Sequence, residues 1–128
     1  MSLRSPLGRV LGLGAAKEGV GHWWAQRVSA VALVFLTLWF VAALLRVPLW
    51  SYEAFSGWIA RPVNAGLLVL LAVALTYHSK LGVQVVLEDY VSHKFAKVVC
   101  LVVNQFLHLA LATIAVLAIL RIALGVAA

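Results

Sequence analysis

One polar run interrupts the apolar sequence of this chain: Tyr77-His78-Ser79-Lys80-Leu81-Gly82, followed after five residues by Glu88-Asp89-Tyr90. Residues 63–76, just ahead of it, are almost wholly apolar and read as membrane-embedded. A histidine in hydrocarbon is costly unless it has a partner, and neutral imidazole is a common metal ligand. At 100° per residue, His78, Gly82, Val85 and Asp89 fall on one stripe of a helix. Gly82 carries no side chain, so a flat ligand can approach the backbone there. Beside an imidazole one turn away, that suggests a haem. Asp89 lies about 16 Å further along the same stripe, with the phenol of Tyr90 next to it. A quinone head needs hydrogen-bond donors at its carbonyl oxygens and a route for protons, and a phenol beside a carboxylate offers both. Each residue also has a plainer use. His78 can bond another helix, Gly82 can permit close helix packing, and Tyr90 can be a belt residue at the membrane surface. Glu88 and Asp89 can form a solvated helix end that meets a basic partner.

The elements that must position these groups are legible from hydropathy. The chain has 128 residues, 65% hydrophobic and 11% charged, with a mean hydropathy of +1.06. A soluble domain of this size could not bury so much apolar surface. The expectation is an all-α membrane protein with three transmembrane helices and a short interfacial helix between the first and second. The spans are expected at about 28–45, 62–87 and 98–120. Trp23 and Trp24 stand before the first span as interfacial anchors, and Pro62 suits the first turn of the second. In the connection, Trp50, Ala54 and Trp58 are spaced by four and Ser51 can cap a short surface helix. The layout is then an N-terminal cytoplasmic segment 1–27, an anchor domain 28–121 and a tail 122–128.

The formal charge of +6 does not point to nucleic acid, because the basic residues flank apolar blocks, where they set topology and meet anionic lipid. Arg4, Arg9, Lys17, Arg27, Lys80, Lys94 and Lys97 fall on one side, and Arg46, Arg61 and Arg121 on the other. The positive-inside rule therefore puts the N-terminus inside and the C-terminus outside. The N-terminal stretch lacks the apolar core of a cleavable signal. Cys100 is the one cysteine, so no internal disulfide or Cys-x-x-Cys pair exists.

The string His78-Ser79-Lys80-Leu81-Gly82-Val83-Gln84-Val85-Val86-Leu87-Glu88-Asp89-Tyr90 resembles the signature of the succinate dehydrogenase hydrophobic membrane anchor subunits: His, three residues, Gly, six residues, Asp-Tyr. The segment from His22 through Arg27 to Ser29-Ala30 resembles that family's approach to the first span, and the three-span layout agrees. The resemblance implies a membrane anchor of succinate:ubiquinone oxidoreductase (respiratory complex II), with no complete active site in this chain alone. It implies a haem b shared with a second membrane cytochrome b subunit, each chain giving one axial histidine, His78 here. Gly82 and Arg27 would contact the haem, Arg27 near its propionates. Tyr90, with Asp89 as neighbour, would bind ubiquinone. An iron–sulfur subunit and a flavoprotein would dock on the inner face of a bacterial inner membrane or its mitochondrial equivalent. A different b-type cytochrome subunit, and a haem-free transporter or scaffold, are the competing readings.

The remaining polar residues have assigned expectations. Counted from the ends of the apolar runs, His108 lies about 15 Å deep and His78 about 6 Å. That difference favours His108 in a hydrogen-bonded patch with Asn104 and Gln105 facing a partner helix, over service as a second haem ligand. Lys80 lies 200° from His78 and can snorkel if the membrane edge is near Gly82. The turn at 83–87 would then be covered by a partner protein. His22 reads as a surface histidine, and His93, Lys94 and Lys97 as headgroup or partner contacts.

Overall fold

The computed structural model describes residues 19–47 and 51–125 and is all helical there. Four helices follow in order: α1 (Gly19–Leu44), α2 (Tyr52–Ile59), α3 (Pro62–Tyr90) and α4 (Lys94–Ala123). Three of them, α1, α3 and α4, are long and apolar enough to cross a membrane. The chain is therefore a multi-pass membrane protein with a short helix between the first and second spans. The expectations that rest on Arg4, Arg9, Lys17, Trp50 and residues 126–128 lie outside the described residues.

Each long helix exceeds the apolar run that marks it. Hydropathy fixes the stretch that touches hydrocarbon, whereas a helix continues until its last backbone groups find another partner. α1 starts at Gly19 rather than near Val28, so His22, Trp23, Trp24, Gln26 and Arg27 are all helical. α3 has 29 residues and α4 has 30, or about 43 and 45 Å at 1.5 Å per residue. Against a hydrocarbon core of about 30 Å, both project well beyond it. The joint between them explains where they stop. Val91 turns extended, and its N–H bonds to the carbonyl of Leu87. Lys97 donates to the carbonyl of Glu88 at 2.6 Å, and the His93 ring accepts the N–H of Ala96 at 3.3 Å as the N-cap of α4. His93 and Lys97, expected as headgroup or partner contacts, thus close the α3–α4 corner from within the chain.

α2 forms as its sequence predicts. The Ser51 hydroxyl accepts the N–H of Ala54 at 3.2 Å, and the Trp58 ring stacks on Phe55 at 5.9 Å and on Trp39 of α1 at 5.8 Å. Asn64 at the head of α3 donates to the Trp58 carbonyl at 2.7 Å. These contacts fix the end of the molecule opposite the α3–α4 corner.

α3 is the centre of the arrangement. α1 packs on one side of it and α4 on the other, and among the described residues α1 and α4 do not meet. The buried apolar residues are Ile59, Ala65 and Leu81, and the buried polar ones are Ser29, Asn104 and His108. This is the reverse of a soluble core. In lipid the apolar side chains already have a suitable solvent, so the seams between helices collect the polar groups. Thr76 and the exposed Thr113 return their hydroxyls to the carbonyls of Ala72 and Leu109.

Candidate functional site

His78 projects from α3 into the α1 seam. Its Nε2 lies 3.3 Å from the Gln26 side-chain nitrogen, and its Nδ1 lies 3.0 Å from the Ser29 hydroxyl. Ser29 donates its single proton to the Gln26 carbonyl at 3.1 Å. With that proton directed to the carbonyl, its oxygen accepts from His78 and the imidazole proton sits on Nδ1. Nε2 then carries a lone pair and accepts from the Gln26 amide. One tautomer satisfies all three contacts, and it leaves the ring's lone pair on Nε2.

The ring stands at the edge of an open apolar trough of about 410 Å³, lined by Ala30, Leu33, Val34, Thr37 and Leu38 of α1. Gly82 is one turn along α3. A Cβ built there would meet a single neighbour, the Gln26 side-chain nitrogen, at 3.7 Å. The space above Gly82 is therefore held by a flexible amide and not by backbone. That amide is poorly served where it lies, since Gln26 Oε1 is buried with no hydrogen-bond partner. A basic nitrogen, a bare glycine turn, a displaceable amide and an apolar wall can accept a flat apolar group carrying an electrophilic metal. Among the described residues no three His, Cys, Asp or Glu side chains gather to hold a metal ion. The other ligands of a metal at His78 would come from outside the described residues.

The remaining residues singled out from sequence are more dispersed. Arg27 is exposed, with its guanidinium 5.5 Å from the centre of the Trp23 ring, on a different face of α1 from Gln26. Asp89 and Tyr90 are both exposed at the end of α3, eleven and twelve residues beyond His78, or about 16 and 18 Å. The structure thus joins His78 to Gly82 and leaves Tyr90 and Asp89 as a separate, open cluster.

His108 belongs to the opposite seam. Its Nδ1 donates to the Asn104 carbonyl at 2.9 Å, so its Nε2 accepts the Ser79 hydroxyl at 3.1 Å. The Asn104 amide donates to the Lys80 carbonyl at 3.1 Å. The expected polar patch is there, formed by Asn104 and His108 against α3, while Gln105 faces outward. The depth argument does not hold. Contact with Ser79 puts His108 at the level of His78, because both helices continue past their apolar runs and the run ends were a poor origin for counting. What separates the two histidines is the side of α3 each one meets. Lys80 lies, as its angle requires, away from His78, in troughs on the outer face of α3 and α4 with Gln105.

Sequence reasoning missed Ser29 and Gln26 as the partners of His78. A signal for them existed: His22, Gln26 and Ser29 are spaced four and three apart, one polar stripe on an otherwise apolar helix. His22 continues that stripe, half-buried, with its Nε2 buried and without a partner among the described residues.

Comparison with known proteins gives a consistent picture. Residues 1–121 match the family described as succinate dehydrogenase/fumarate reductase transmembrane subunit. A succinate dehydrogenase hydrophobic membrane anchor subunit from Rickettsia bellii (strain RML369-C) is 34% identical over 89 residues, which cover 70% of this chain and 71% of that protein. The protein of the same name from Rickettsia conorii is 33% identical over 95 residues, covering 73% and 75%. One from Paracoccus denitrificans is 37% identical over 79 residues, covering 62% and 61%.

Proposed function

This chain belongs to the succinate dehydrogenase/fumarate reductase transmembrane subunit family and is a membrane anchor subunit of that kind; on that premise we propose that it holds one face of a b-type haem and one wall of a ubiquinone site. The observation that carries the haem assignment is the placement of His78: Nδ1 3.0 Å from the Ser29 hydroxyl, Nε2 3.3 Å from the Gln26 amide that lies over Gly82, and the ring at the edge of an apolar trough. His78 would hold the haem iron, Gly82 would leave room for the group beside it, and Arg27 would be a cation for its propionates. A second membrane cytochrome b subunit would supply the other histidine. The uncovered flank of α3, with α1 and α4 apart, supports a partner at that place. The haem, when bound, supplies one-electron redox chemistry.

Ubiquinone would bind at the far end of α3. Tyr90 would donate its phenolic proton in a hydrogen bond to a quinone carbonyl oxygen, and Asp89 would hold or pass a proton beside it. Both side chains are exposed in the isolated chain, which fits a pocket whose other walls belong to an iron–sulfur subunit and the second membrane subunit. The flavoprotein carrying succinate oxidation would dock beyond the iron–sulfur subunit, so this chain contributes anchoring and positioning to the enzyme. The Lys and Arg distribution supports an inner-membrane orientation with the N-terminus and the Tyr90 end inside and the C-terminus outside. Residues 1–27 would form the inner segment, 28–121 the anchor domain and 122–128 the outer tail.

Purification of the native complex, with its subunits identified and a reduced-minus-oxidised spectrum recorded, tests this reading. The expected result is a b-type spectrum in a preparation containing a flavoprotein, an iron–sulfur protein and a second membrane chain. A colourless preparation without those partners would contradict it.

A further inference from the structure

We propose that Ser29 is the positioning residue of the His78 ligand and that the Gln26 side chain is a removable guard on its iron-binding nitrogen. The inference rests on haem ligation by His78 and adds to it which nitrogen binds and what holds the ring. Two side chains of α1 lie within hydrogen-bond distance of the same imidazole, yet their situations differ. Ser29 is 7% exposed, and its hydroxyl is used twice, accepting from Nδ1 at 3.0 Å and donating to the Gln26 carbonyl at 3.1 Å. That chain ends on a backbone atom of α1, so it stays fixed whatever the Gln26 side chain does. The Gln26 amide makes one contact to Nε2, at the longer distance of 3.3 Å, and leaves its own oxygen buried and unpartnered. It also lies over Gly82, 3.7 Å from where a Cβ would stand. It fills the ground that a planar ligand must take, on a side chain with several rotatable bonds, at a position where leaving frees an unsatisfied atom.

The chemistry assigns the two roles. A ligating histidine is oriented, and made more basic, by an acceptor at its other nitrogen. Ser29 provides that acceptor at Nδ1, which leaves Nε2 for iron. Removing it takes electron density from the ring and favours the reduced metal, so the haem midpoint potential rises. The Gln26 amide touches the nitrogen that iron takes, so in the loaded protein it has already moved off.

The test is a potentiometric titration of the b-type absorbance, with haem retention measured alongside, in the purified complex carrying Ser29→Ala, Ser29→Thr or Gln26→Ala. Ser29→Ala is expected to shift the midpoint potential upward and weaken haem retention roughly 10- to 100-fold, as loss of such a partner does. Ser29→Thr restores both, since it keeps the hydroxyl. Gln26→Ala, which keeps the backbone carbonyl, holds the wild-type potential. An unshifted potential in Ser29→Ala, or a shift in Gln26→Ala alone, overturns the proposal. Should Ser29→Ala fail to assemble, the unshifted Gln26→Ala and the restored Ser29→Thr still have to be seen together. Loss of haem from His78→Ala alongside an unshifted Ser29→Ala would sink this inference and spare the ligand assignment, whereas haem retained in His78→Ala sinks the assignment itself.

Discussion

The two seams of α3 hold one histidine each, at the same level along the helix, and bond them differently. On the α4 side, His108 is 9% exposed and both its nitrogens are committed, to the Asn104 carbonyl and to Ser79. On the α1 side, His78 is only half-buried, its Nδ1 is fixed by Ser29, and its Nε2 faces a single amide that lacks a partner for its own oxygen. In the first seam both histidine nitrogens find partners within the chain, while the Asn104 side-chain oxygen is buried and unpartnered. Interhelical hydrogen bonds in membranes are worth about 0.6 kcal/mol on average and up to about 1.7. The Gln26 contact is thus weak enough for a coordinate bond to replace, and the His108 links are strong enough only to hold two helices together. Residue type did not distinguish these histidines, and neither did depth. The partner at Nε2 did: a serine hydroxyl at 3.1 Å for His108, and a side-chain amide at 3.3 Å, over a glycine, for His78.

Substitutions can break or sharpen that contrast. The largest effect is expected from Gly82→Leu, which places a branched side chain where the Gln26 amide now lies. Haem content of the purified complex, measured as haem per flavin, should fall to near zero. Undiminished haem would remove Gly82 from the ligand's footprint. Tyr90→Phe should lower ubiquinone reductase activity about tenfold, the worth of one hydrogen bond near 1.4 kcal/mol. Succinate oxidation with an artificial acceptor should stay at the wild-type rate, and equal loss of both activities would indicate an assembly defect. His108→Ala should leave ubiquinone reduction intact while destabilising the complex by about 1–2 kcal/mol, seen in thermal unfolding in detergent. Ser79→Ala, which removes one of the two His108 contacts, should cost about 0.6 kcal/mol. A spectral change in either variant would mean that the closed seam has a role it is not assigned here.

Much of this was readable before any coordinates. The three spans follow from apolar runs, the surface helix from Ser51 and the spacing of Trp58, and the stripe linking His78 to Asp89 from the helical period. The element ends were not readable, because α3 and α4 stop where Lys97 and His93 cap them, a decision made by contacts across the corner and not by hydropathy. The same oversight displaced His108 by some turns of helix. Consecutive residues also serve different seams: His78 faces α1 while Ser79, 100° away, faces α4. A linear motif cannot show that division. Ser29 was hidden for another reason. A serine in an apolar helix ordinarily returns its hydroxyl to its own backbone, and only the packed structure shows this one turned to an imidazole as well.

Reduced-minus-oxidised spectra of the purified complex carrying His78→Ala and His108→Ala, recorded side by side, test the central claim most directly. The b-type absorbance should vanish or be strongly altered in His78→Ala and be unchanged in His108→Ala. An unchanged spectrum in His78→Ala, or its loss in His108→Ala alone, would contradict the assignment of the two seams.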